Sequence, residues 1–302
     1  MNTKVLSGVW RLADPKVTMA SMSSIFLAAC AAAAEGPLAW GWLAWVVAGI
    51  FFLEVAKNAS GEIFDFDSGA DQGVARKDRS PFSGGKRVLV DGLLSREQTA
   101  AVASLGYALG IAVGLWIVIA REPWALVFGL AGVALAYFYH APPVSLSYRG
   151  LGETAVGLAY GPLIGLGAYV VLSGEPFSPL LPLFVPLGLL ITAFLWINEF
   201  PDHDADRAAG KRTLVVRLGR PLAAKVFVVL IAAAGLWLWA LPSLGWPSEV
   251  RVGLIGIACG AEAARRLLRY PNETARIIPA QALTLASFIL AALGSGAGLL
   301  LS

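Results

Sequence analysis

The sequence predicts an all-α integral membrane protein, and its composition is the first observation that supports this fold class. Of the 302 residues, 57% are hydrophobic and only 14% are charged, and the mean hydropathy is +0.70. Soluble domains contain about one-quarter charged residues, because a water-facing surface needs them. The second observation is a series of long apolar segments separated by polar connections. Together they exclude a soluble enzyme, a disordered chain and a secreted disulfide scaffold, and a net charge of +3 gives no sign of nucleic-acid binding.

Nine segments approach the length of a membrane-spanning helix, which needs about 20 mostly apolar residues. In chain order they are Val17–Ala34, Leu38–Ala56, Gln98–Ala120, Trp124–Tyr139, Glu153–Leu172, Leu180–Ile197, Leu222–Leu241, Val252–Leu268 and Ile278–Leu300. The fourth and eighth segments are shorter than the others. Stretches rich in glycine and alanine allow helices to pack closely in lipid. We therefore expect nine transmembrane helices in a single domain that covers residues 1–302.

Basic residues lie mainly in alternate connections between these segments. The N-terminus and the connections after the second, fourth, sixth and eighth segments contain most of the Lys and Arg residues. The opposite connections contain little beyond Arg121 and Arg251. Because basic loops stay on the cytoplasmic side of a membrane, the pattern predicts a protein of the inner (cell) membrane. Its N-terminus would be cytoplasmic and, after nine crossings, its C-terminus would be outside.

Two clusters of carboxylate and amide side chains follow the second and the sixth segment, both on the predicted cytoplasmic side. Their spacing of i, i+4 and i+7 or i+8 places each cluster on one helix face, although Pro201 could kink the second. The members are Asn58, Glu62 and Asp65 in the first cluster and Asn198, Asp202 and Asp206 in the second. A separation of four segments suggests two related four-helix halves and one added helix around a central cavity.

Carboxylates on one helix face repel each other unless a cation neutralises them. Mg²⁺ prefers oxygen ligands and is commonly held by one or two carboxylates together with substrate phosphates. Basic residues follow each cluster and could complete a phosphate site; they are Arg76, Lys77 and Arg79 in one case and Arg207, Lys211 and Arg212 in the other. Two facing clusters would therefore bind a magnesium diphosphate from both sides and stabilise diphosphate as it leaves.

Four stretches of the chain resemble the UbiA superfamily of intramembrane prenyltransferases. The branch most similar to them contains the 1,4-dihydroxy-2-naphthoate polyprenyltransferases of menaquinone biosynthesis. The stretches are residues 58–71, 78–85 with 93–95, 142–153 and 198–219. The resemblance implies a Mg²⁺-dependent transferase that moves a polyprenyl group from its diphosphate to an aromatic or quinone-precursor acceptor. One departure is Gly61-Glu62, where the naphthoate branch commonly has Asn-Asp.

The resemblance also implies roles for individual residues. Metal binding falls to Asn58, Asp65, Asp71, Asn198, Asp202 and Asp206, and Glu62 is long enough to join them. Asp65 and Asp202 are the expected catalytic residues. The expected diphosphate-binding cations are Arg79 and Lys211, with their neighbours Lys77 and Arg212. Position near the cytoplasmic helix ends gives four further candidates for the acceptor side, which are Arg149, Glu153, Tyr139 and Tyr148. A helix-entry ion pair would explain Arg149 and Glu153 equally well, and for the tyrosines an interfacial belt is the favoured interpretation.

Other functions remain open from the sequence. Prenyl transfer to another lipid acceptor, or cyclisation of a terpene, would use the same diphosphate site. A membrane transporter is the alternative from a different class, but ion paths place acids near the bilayer midplane. Here the clusters lie at helix ends, which favours an enzyme. Glu54 and Glu262 lie within apolar segments and are site candidates for that reason, whereas Asp67 and His203 receive no role.

Overall fold

The computed structural model describes residues 3–175 and 179–302, and within these residues the chain contains helices and no β-strand. Two helices precede the helix that carries the first acidic cluster, and the later helices follow in the order of the predicted segments. The helices are α1 (Thr3–Ala13), α2 (Pro15–Glu35), α3 (Trp40–Ser68), α4 (Arg96–Ala120), α5 (Ala125–Phe138), α6 (Gly152–Ser173), α7 (Leu181–Ala208), α8 (Leu214–Leu218), α9 (Arg220–Ala240), α10 (Ile255–Arg269) and α11 (Thr274–Leu301).

Seven helical segments of the described residues are long and apolar enough to cross a bilayer. They are α1 with α2, then α3, α4, α6, α7, α9 with the turn that follows it, and α11. Each of the nine predicted segments overlaps a helix. However, α5 has 14 residues and α10 has 15, too few to cross a bilayer unaided. The membrane-spanning, all-helical class is confirmed, and the count of nine crossings stays a prediction.

Helices α3 and α7 extend well beyond the apolar segments that predicted them, and these extensions carry the acidic clusters. α3 continues past Ala56 to Ser68 and ends at Gly69, whose φ of 83° is the left-handed conformation that terminates many helices. α7 continues through Pro201 to Ala208, so this proline does not end the helix. Asn58 and Asn198 therefore lie inside continuous helices, with the later members of each cluster one and two turns further on.

The centre of the fold is α7, which packs against α6, α9 and α11. Phe184, Ile197 and Phe200 of α7 are fully buried. Small residues allow a close crossing with α6, since a Cβ added to Gly161 would lie 2.6 Å from the Cα of Gly188. A π-helical turn at Ala159–Leu163 accommodates Pro162, which has no N–H to donate. This crossing holds α6 and α7 beside the site described next.

Candidate functional site

A polar cavity of about 220 Å³ lies where the C-terminal extensions of α3 and α7 converge. Its wall contains every residue that the sequence predicted as a metal ligand. These are Asn58, Glu62, Asp65, Asp71, Asn198, Asp202 and Asp206. All are buried except Asp202, which is half-buried. The structure thus brings the two clusters together in one cavity, as the predicted facing arrangement requires.

Lys211 connects the two clusters directly. Its Nζ lies 3.2 Å from Oδ2 of Asp65 and 3.8 Å from Oδ1 of Asp206. The chain reaches this position because Gly210, with a φ of 74°, turns it back after α7, and the Lys211 N–H donates to the Asp206 carbonyl at 2.8 Å. Burial disfavours the Lys211 ammonium, but Asp206 and Asp65 outweigh burial and hold its pKa well above the usual value.

The loop between α3 and α4 reaches both clusters through its backbone. The Gly84 N–H donates to Asp202 Oδ2 at 2.8 Å, and the N–H groups of Lys86 and Leu89 donate to the two oxygens of Glu62 at 3.1 and 3.0 Å. Gly85 has a φ of 70°, and a Cβ there would collide with the carboxylate of Asp71. Gly85 therefore leaves the space that allows the loop to approach Asp71 so closely, and the φ of 79° at Gly84 also favours glycine.

Several oxygens in the wall have no hydrogen-bond partner among the residues that the structure describes, and they suit a hard cation. The buried atoms without a hydrogen bond include Asp71 Oδ2, Asn198 Oδ1, Glu199 Oε2 and Asp202 Oδ1. An oxygen-only donor set fits Mg²⁺. Within the described ranges, no three His, Cys, Asp or Glu side chains form a ready-made metal cage. The residues present therefore fit a Mg²⁺ that takes part of its ligands from a phosphate group and water.

Two groups at the cavity have pKa values that are shifted by burial and by the charges around them. Burial, together with the negative charges of Asp65 and Glu62, raises the pKa of Asp71 to about 7. Burial lowers the pKa of His140 to about 4, although Asp65 opposes that shift. Both shifts follow from the cost of placing charge where water is excluded. A cation bound beside Asp71 would favour its ionised form.

The predicted diphosphate-binding cations separate into two groups. Lys211 lines the cavity, whereas Lys77, Arg79 and Arg212 are exposed and are not part of its wall. The lysines that do line it are Lys16, Lys57, Lys86 and Lys211. A role for Lys77, Arg79 and Arg212 stays a prediction that the geometry of the cavity does not explain.

The predicted acceptor-side residues also differ in position. Tyr139 lines the cavity, and the Tyr148 hydroxyl donates to Asp65 Oδ1 at 2.7 Å. Glu153 is buried and accepts a hydrogen bond from the Leu214 N–H at 2.5 Å, which fixes the start of α8. Arg149 is exposed and donates to the Pro143 carbonyl at 2.7 Å. Arg149 and Glu153 thus contact different groups, and their part in acceptor binding stays a prediction.

Sequence reasoning missed several residues of the wall. His140 packs against Gly61, and its Nε2 lies 3.7 Å from Asp65 Oδ2. Lys86 forms an ion pair with the buried Asp14, which has a φ of 37° between α1 and α2. His140 lies just before the stretch 142–153 that carries the family resemblance, and this proximity was the available signal. Asp14 and Lys86 form a pair across 72 residues, and no local pattern indicates it.

A second cavity of about 190 Å³ lies between α3, α4, α5 and α6 and has an apolar wall. Gly49, Ile117, Phe128, Gly132 and Val171 are among the residues that line it. It meets the polar cavity at four residues common to both walls, which are Lys57, Tyr139, Val156 and Tyr160. We call these four residues the neck. An apolar space joined to a cluster of acids and lysines suits a molecule with a charged head and a hydrocarbon chain.

Comparison with protein families gives a match over most of the chain. The sequence profile of the UbiA prenyltransferase family matches residues 21–288. The chain is 24% identical over 194 residues to 1,4-dihydroxy-2-naphthoate octaprenyltransferase of Bacillus subtilis, covering 64% of this chain and 60% of that protein. It is 33% identical over 166 residues to the Mycobacterium tuberculosis protein of the same name, covering 55% of this chain and 56% of that protein. The match to 2-carboxy-1,4-naphthoquinone phytyltransferase of Synechocystis is 32% over 178 residues, 58% of this chain and 54% of that protein. These matches span about half to three-fifths of each relative.

Solved structures share the fold over nearly the whole chain. A UbiA homolog from Aeropyrum pernix superposes with a TM-score of 0.70 at 21% identity, covering 92% of this chain and 96% of that one. A UbiA homolog from Archaeoglobus fulgidus bound to GPP and Mg²⁺ superposes with a TM-score of 0.59 at 16% identity, covering 96% of this chain and 99% of that one.

Proposed function

Because the chain belongs to the UbiA prenyltransferase family, we propose that it transfers a polyprenyl group from its diphosphate to a small aromatic acceptor in the membrane. The observation that carries this proposal is the junction of the two cavities. Acids and lysines from α3, α7 and the loops beside them form the polar cavity, and an apolar cavity continues from it. A prenyl diphosphate has the same division into a charged head and an apolar chain.

The diphosphate head would bind in the polar cavity. Asp65, Asp71, Asp202, Lys211 and Lys86 line this cavity. The three carboxylates would hold Mg²⁺, and the two lysines would contact phosphate oxygens. When bound, the metal ion would neutralise the diphosphate and make it a better leaving group. The Lys211 ammonium contacts Asp65 and Asp206 in this structure. A bound diphosphate would compete with these two carboxylates for the same ammonium. We also propose Asp65 and Asp202 as the catalytic residues.

The transfer would begin with cleavage of the prenyl diphosphate beside the acids and lysines of the polar cavity. The C–O bond of the allylic diphosphate breaks, the bonding pair leaves with diphosphate, and an allylic cation remains at the neck. The rings of Tyr139 and Tyr160 border this position and can stabilise positive charge through their faces. An aromatic carbon of the acceptor donates an electron pair to form the new C–C bond, and the ring loses a proton. With a naphthoate acceptor attacked at the carbon that bears its carboxylate, CO₂ would leave in place of the proton, and the electron pair of the broken C–C bond would return to the ring.

A naphthoate is the acceptor we propose, because proteins named for naphthoate and carboxynaphthoquinone prenylation are among the relatives. Other acceptors and terpene cyclisation would use the same polar cavity and differ at the neck. A transporter fits less well, because the acids lie in the terminal extensions of α3 and α7 and not at mid-helix.

The arrangement in the membrane is also part of the proposal. We place residues 1–302 in one domain of two four-helix halves and an added helix, with the polar cavity open to the cytoplasm. The basic residues around the cavity lie on the side that the positive-inside rule assigns to the cytoplasm.

The proposal is tested with purified protein, a panel of prenyl diphosphates of different chain length, and a panel of aromatic acceptors with Mg²⁺. Mass spectrometry of the lipid products and a phosphate assay for released diphosphate are the two readouts. We expect transfer to a naphthoate acceptor and no turnover in EDTA. If no donor yields diphosphate under any condition, the enzyme is not a prenyltransferase and the proposal is wrong.

A further inference from the structure

Three exposed arginines lie close together outside the polar cavity, where two segments of the chain meet. Arg149 precedes α6, whereas Arg212 and Arg217 follow α7. The Arg217 side chain joins the two segments, because its Nε donates to the Arg212 carbonyl at 3.0 Å and its Nη2 to the Arg149 carbonyl at 2.6 Å. Gly150, with a φ of 68°, leaves room for this contact, since a Cβ there would lie 3.1 Å from Nε of Arg217. We call the three residues the arginine cluster.

The arginine cluster has no acidic partner in the part of the chain that the structure describes. Among residues 3–175 and 179–302, no carboxylate oxygen lies within 4.0 Å of its guanidinium nitrogens. Other exposed arginines differ, because Arg96, Arg265 and Arg276 pair with carboxylates at 2.8, 2.6 and 2.9 Å. Like charges held close together repel one another unless an anion neutralises them. The arginine cluster therefore favours an anion as its partner.

Exposed apolar side chains adjoin the arginine cluster on both segments. Leu151 and Leu218 lie within two residues of it and are 50% and 37% exposed, and Leu222 in the first turn of α9 is 48% exposed. The exposed apolar surface continues along α6 at Leu158 and along α9 at Val229. Both helices are long and apolar enough to cross a bilayer, and both pack against α7. The arginine cluster thus lies at a membrane boundary, where α6 and α9 begin.

We propose that the arginine cluster and the leucines beside it bind one anionic phospholipid of the surrounding bilayer. The guanidinium groups contact the lipid phosphate, which suits the planar fork of donors that arginine presents. The acyl chains lie along the exposed leucines at the start of α6 and α9. Basic pockets between membrane-spanning helices bind anionic head groups in this manner. Arg149 and Arg212 thereby receive a role outside the polar cavity.

The leucines favour a phospholipid over a free anion. A free phosphate would gain only from the positive charges, whereas a phospholipid also removes the surface of its chains and of the leucines from water. The arginines in turn favour an anionic lipid over a zwitterionic one, because the zwitterionic head group carries its own positive charge. The two halves of the site are independent, so a separate variant tests each.

The test titrates the detergent-purified protein with phosphatidylglycerol and with zwitterionic phosphatidylcholine of the same acyl chains. Native mass spectrometry reports the fraction of protein with bound lipid, and we expect phosphatidylglycerol to bind more tightly. The double variant Arg149→Gln/Arg212→Gln should weaken phosphatidylglycerol by about tenfold or more and change phosphatidylcholine little. The matched control is Arg265→Gln/Arg276→Gln, which removes the same charge from two exposed arginines that have acidic partners. It should retain the preference.

The apolar half of the site is tested with Leu151→Ser/Leu222→Ser. This variant should weaken both lipids, because both carry the same chains, and glycerol phosphate without chains should fail to displace phosphatidylglycerol. Displacement by glycerol phosphate, with unchanged lipid binding in the leucine variant, would indicate a site for free anions and overturn the proposal. A preference for phosphatidylglycerol that survives in Arg149→Gln/Arg212→Gln would also overturn it.

One measurement on the unaltered protein keeps the proposal testable if a variant does not fold. Phosphatidylglycerol with a photoreactive diazirine in its acyl chain should label peptides from the start of α6 and of α9. Unlabelled phosphatidylglycerol should suppress this labelling more strongly than phosphatidylcholine does. Labelling spread evenly over all lipid-facing helices would overturn the site. None of these measurements needs Mg²⁺ or turnover, so failure of the proposed prenyl transfer and failure of the lipid site are separate outcomes.

Discussion

Two acids only two residues apart on α3 illustrate how strongly position decides the chemistry of a side chain. Asp65 is buried and contacts Lys211, Tyr148 and His140. Asp67 points the other way, where its side chain is 45% exposed and pairs with Arg96 at 2.8 Å. An exposed ion pair of this kind contributes little to stability. The role of Asp67, which the sequence left open, is therefore a surface contact outside the cavity.

This difference in position predicts different effects on activity for the same substitution at the two acids. Asp65→Asn should lower kcat for prenyl transfer by at least about a hundredfold, because it removes a charge from the proposed site of the magnesium diphosphate. The kcat of Asp67→Asn should stay within about twofold of that of the unaltered protein, because this acid forms only an exposed ion pair. Steady-state assays with size-exclusion profiles as a check of folding distinguish the two. Equal activities would show that Asp65 is not part of the catalytic site.

The raised pKa of Asp71 predicts how stability depends on pH in the absence of a metal ion. The pKa of this group is about 7 in the folded protein, against a usual value of 3.8, so the folded state binds its proton more tightly than the unfolded state. The stabilisation is complete below the usual value and is lost as the pH rises through about 7. In EDTA, the melting temperature should therefore fall from pH 5 to pH 7 and then level off.

Asp71→Asn is the variant that isolates this effect, because an amide does not titrate. Its melting temperature should vary less over the same range, and Mg²⁺ with inorganic diphosphate should raise the melting temperature of the unaltered protein most at the higher pH. A variant with the same pH profile as the unaltered protein would assign the dependence to other acids of the cavity.

At the scale of elements, the loop between α3 and α4 determines whether the two acidic helices act as one site. The Gly84 N–H binds Asp202 of α7, and the N–H groups of Lys86 and Leu89 bind Glu62 of α3. The loop can approach only because Gly85 has no side chain at a position that adjoins Asp71. The approach of the loop to Asp71 therefore depends on the absence of a Cβ at Gly85, and not on the charges of the two segments.

A glycine pair within this loop allows steric contact to be separated from backbone strain. Gly85→Ala should reduce prenyl transfer by about tenfold or more, since its Cβ collides with the Asp71 carboxylate and displaces the loop. Gly92→Ala is the matched control, because Gly92 has a similar φ of 62° but nothing within 4 Å of its Cβ position. Both changes introduce about 1–2 kcal/mol of left-handed strain. Similar losses of activity in the two variants would contradict the steric explanation.

Periodic patterns explain which parts of this structure were predictable. Apolar length identified a helix for each of the nine segments, and a spacing of four residues placed Asn58, Glu62 and Asp65 on one face. The cations behave differently, because Lys86 reaches the cavity along a loop that has no repeating pattern. Lys77 and Arg79 stand in the same connection, closer in sequence to the acids, and yet are exposed. The path of a loop depends on single glycines and distant partners, which a charge pattern does not reveal.

Helix ends were less predictable than helix positions for a related reason. Apolarity stops at the membrane boundary, but backbone hydrogen bonding does not, so α3 and α7 continue into polar sequence. The amphipathic helix α1 was missed because its 11 residues are too short and too polar to register as a span. Leu6 and Trp10 are exposed on its surface while Leu12 is buried.

At the scale of the whole molecule, the orientation in the bilayer is the main property still to be measured. The basic connections predict a cytoplasmic N-terminus and, with nine crossings, a C-terminus outside. A reporter fused after Ser302 should therefore be active only if it functions outside the cytoplasm, and one fused before α1 should show the opposite. A cytoplasmic C-terminus would mean that just one of the short helices α5 and α10, which have 14 and 15 residues, fails to cross. If neither crosses, seven crossings also leave the C-terminus outside, so reporters in the connections before and after α5 and α10 are needed to separate seven crossings from nine.

The backbone contacts of the α3–α4 loop have a consequence for how freely its sequence can change. A main-chain N–H is present at every residue except proline, so the hydrogen bonds to Asp202 and Glu62 do not require particular side chains. Changes of side chain at Ser83 and Leu89 should therefore be tolerated, except for proline at Leu89. Gly84 and Gly85, the ion-paired Lys86 and the fully buried Val88 should not tolerate substitution. The tolerated changes would alter the side chains at the edge of the polar cavity and so the head group of the substrate that fits there. Glu62 and Asp202 would keep their hydrogen bonds to the backbone.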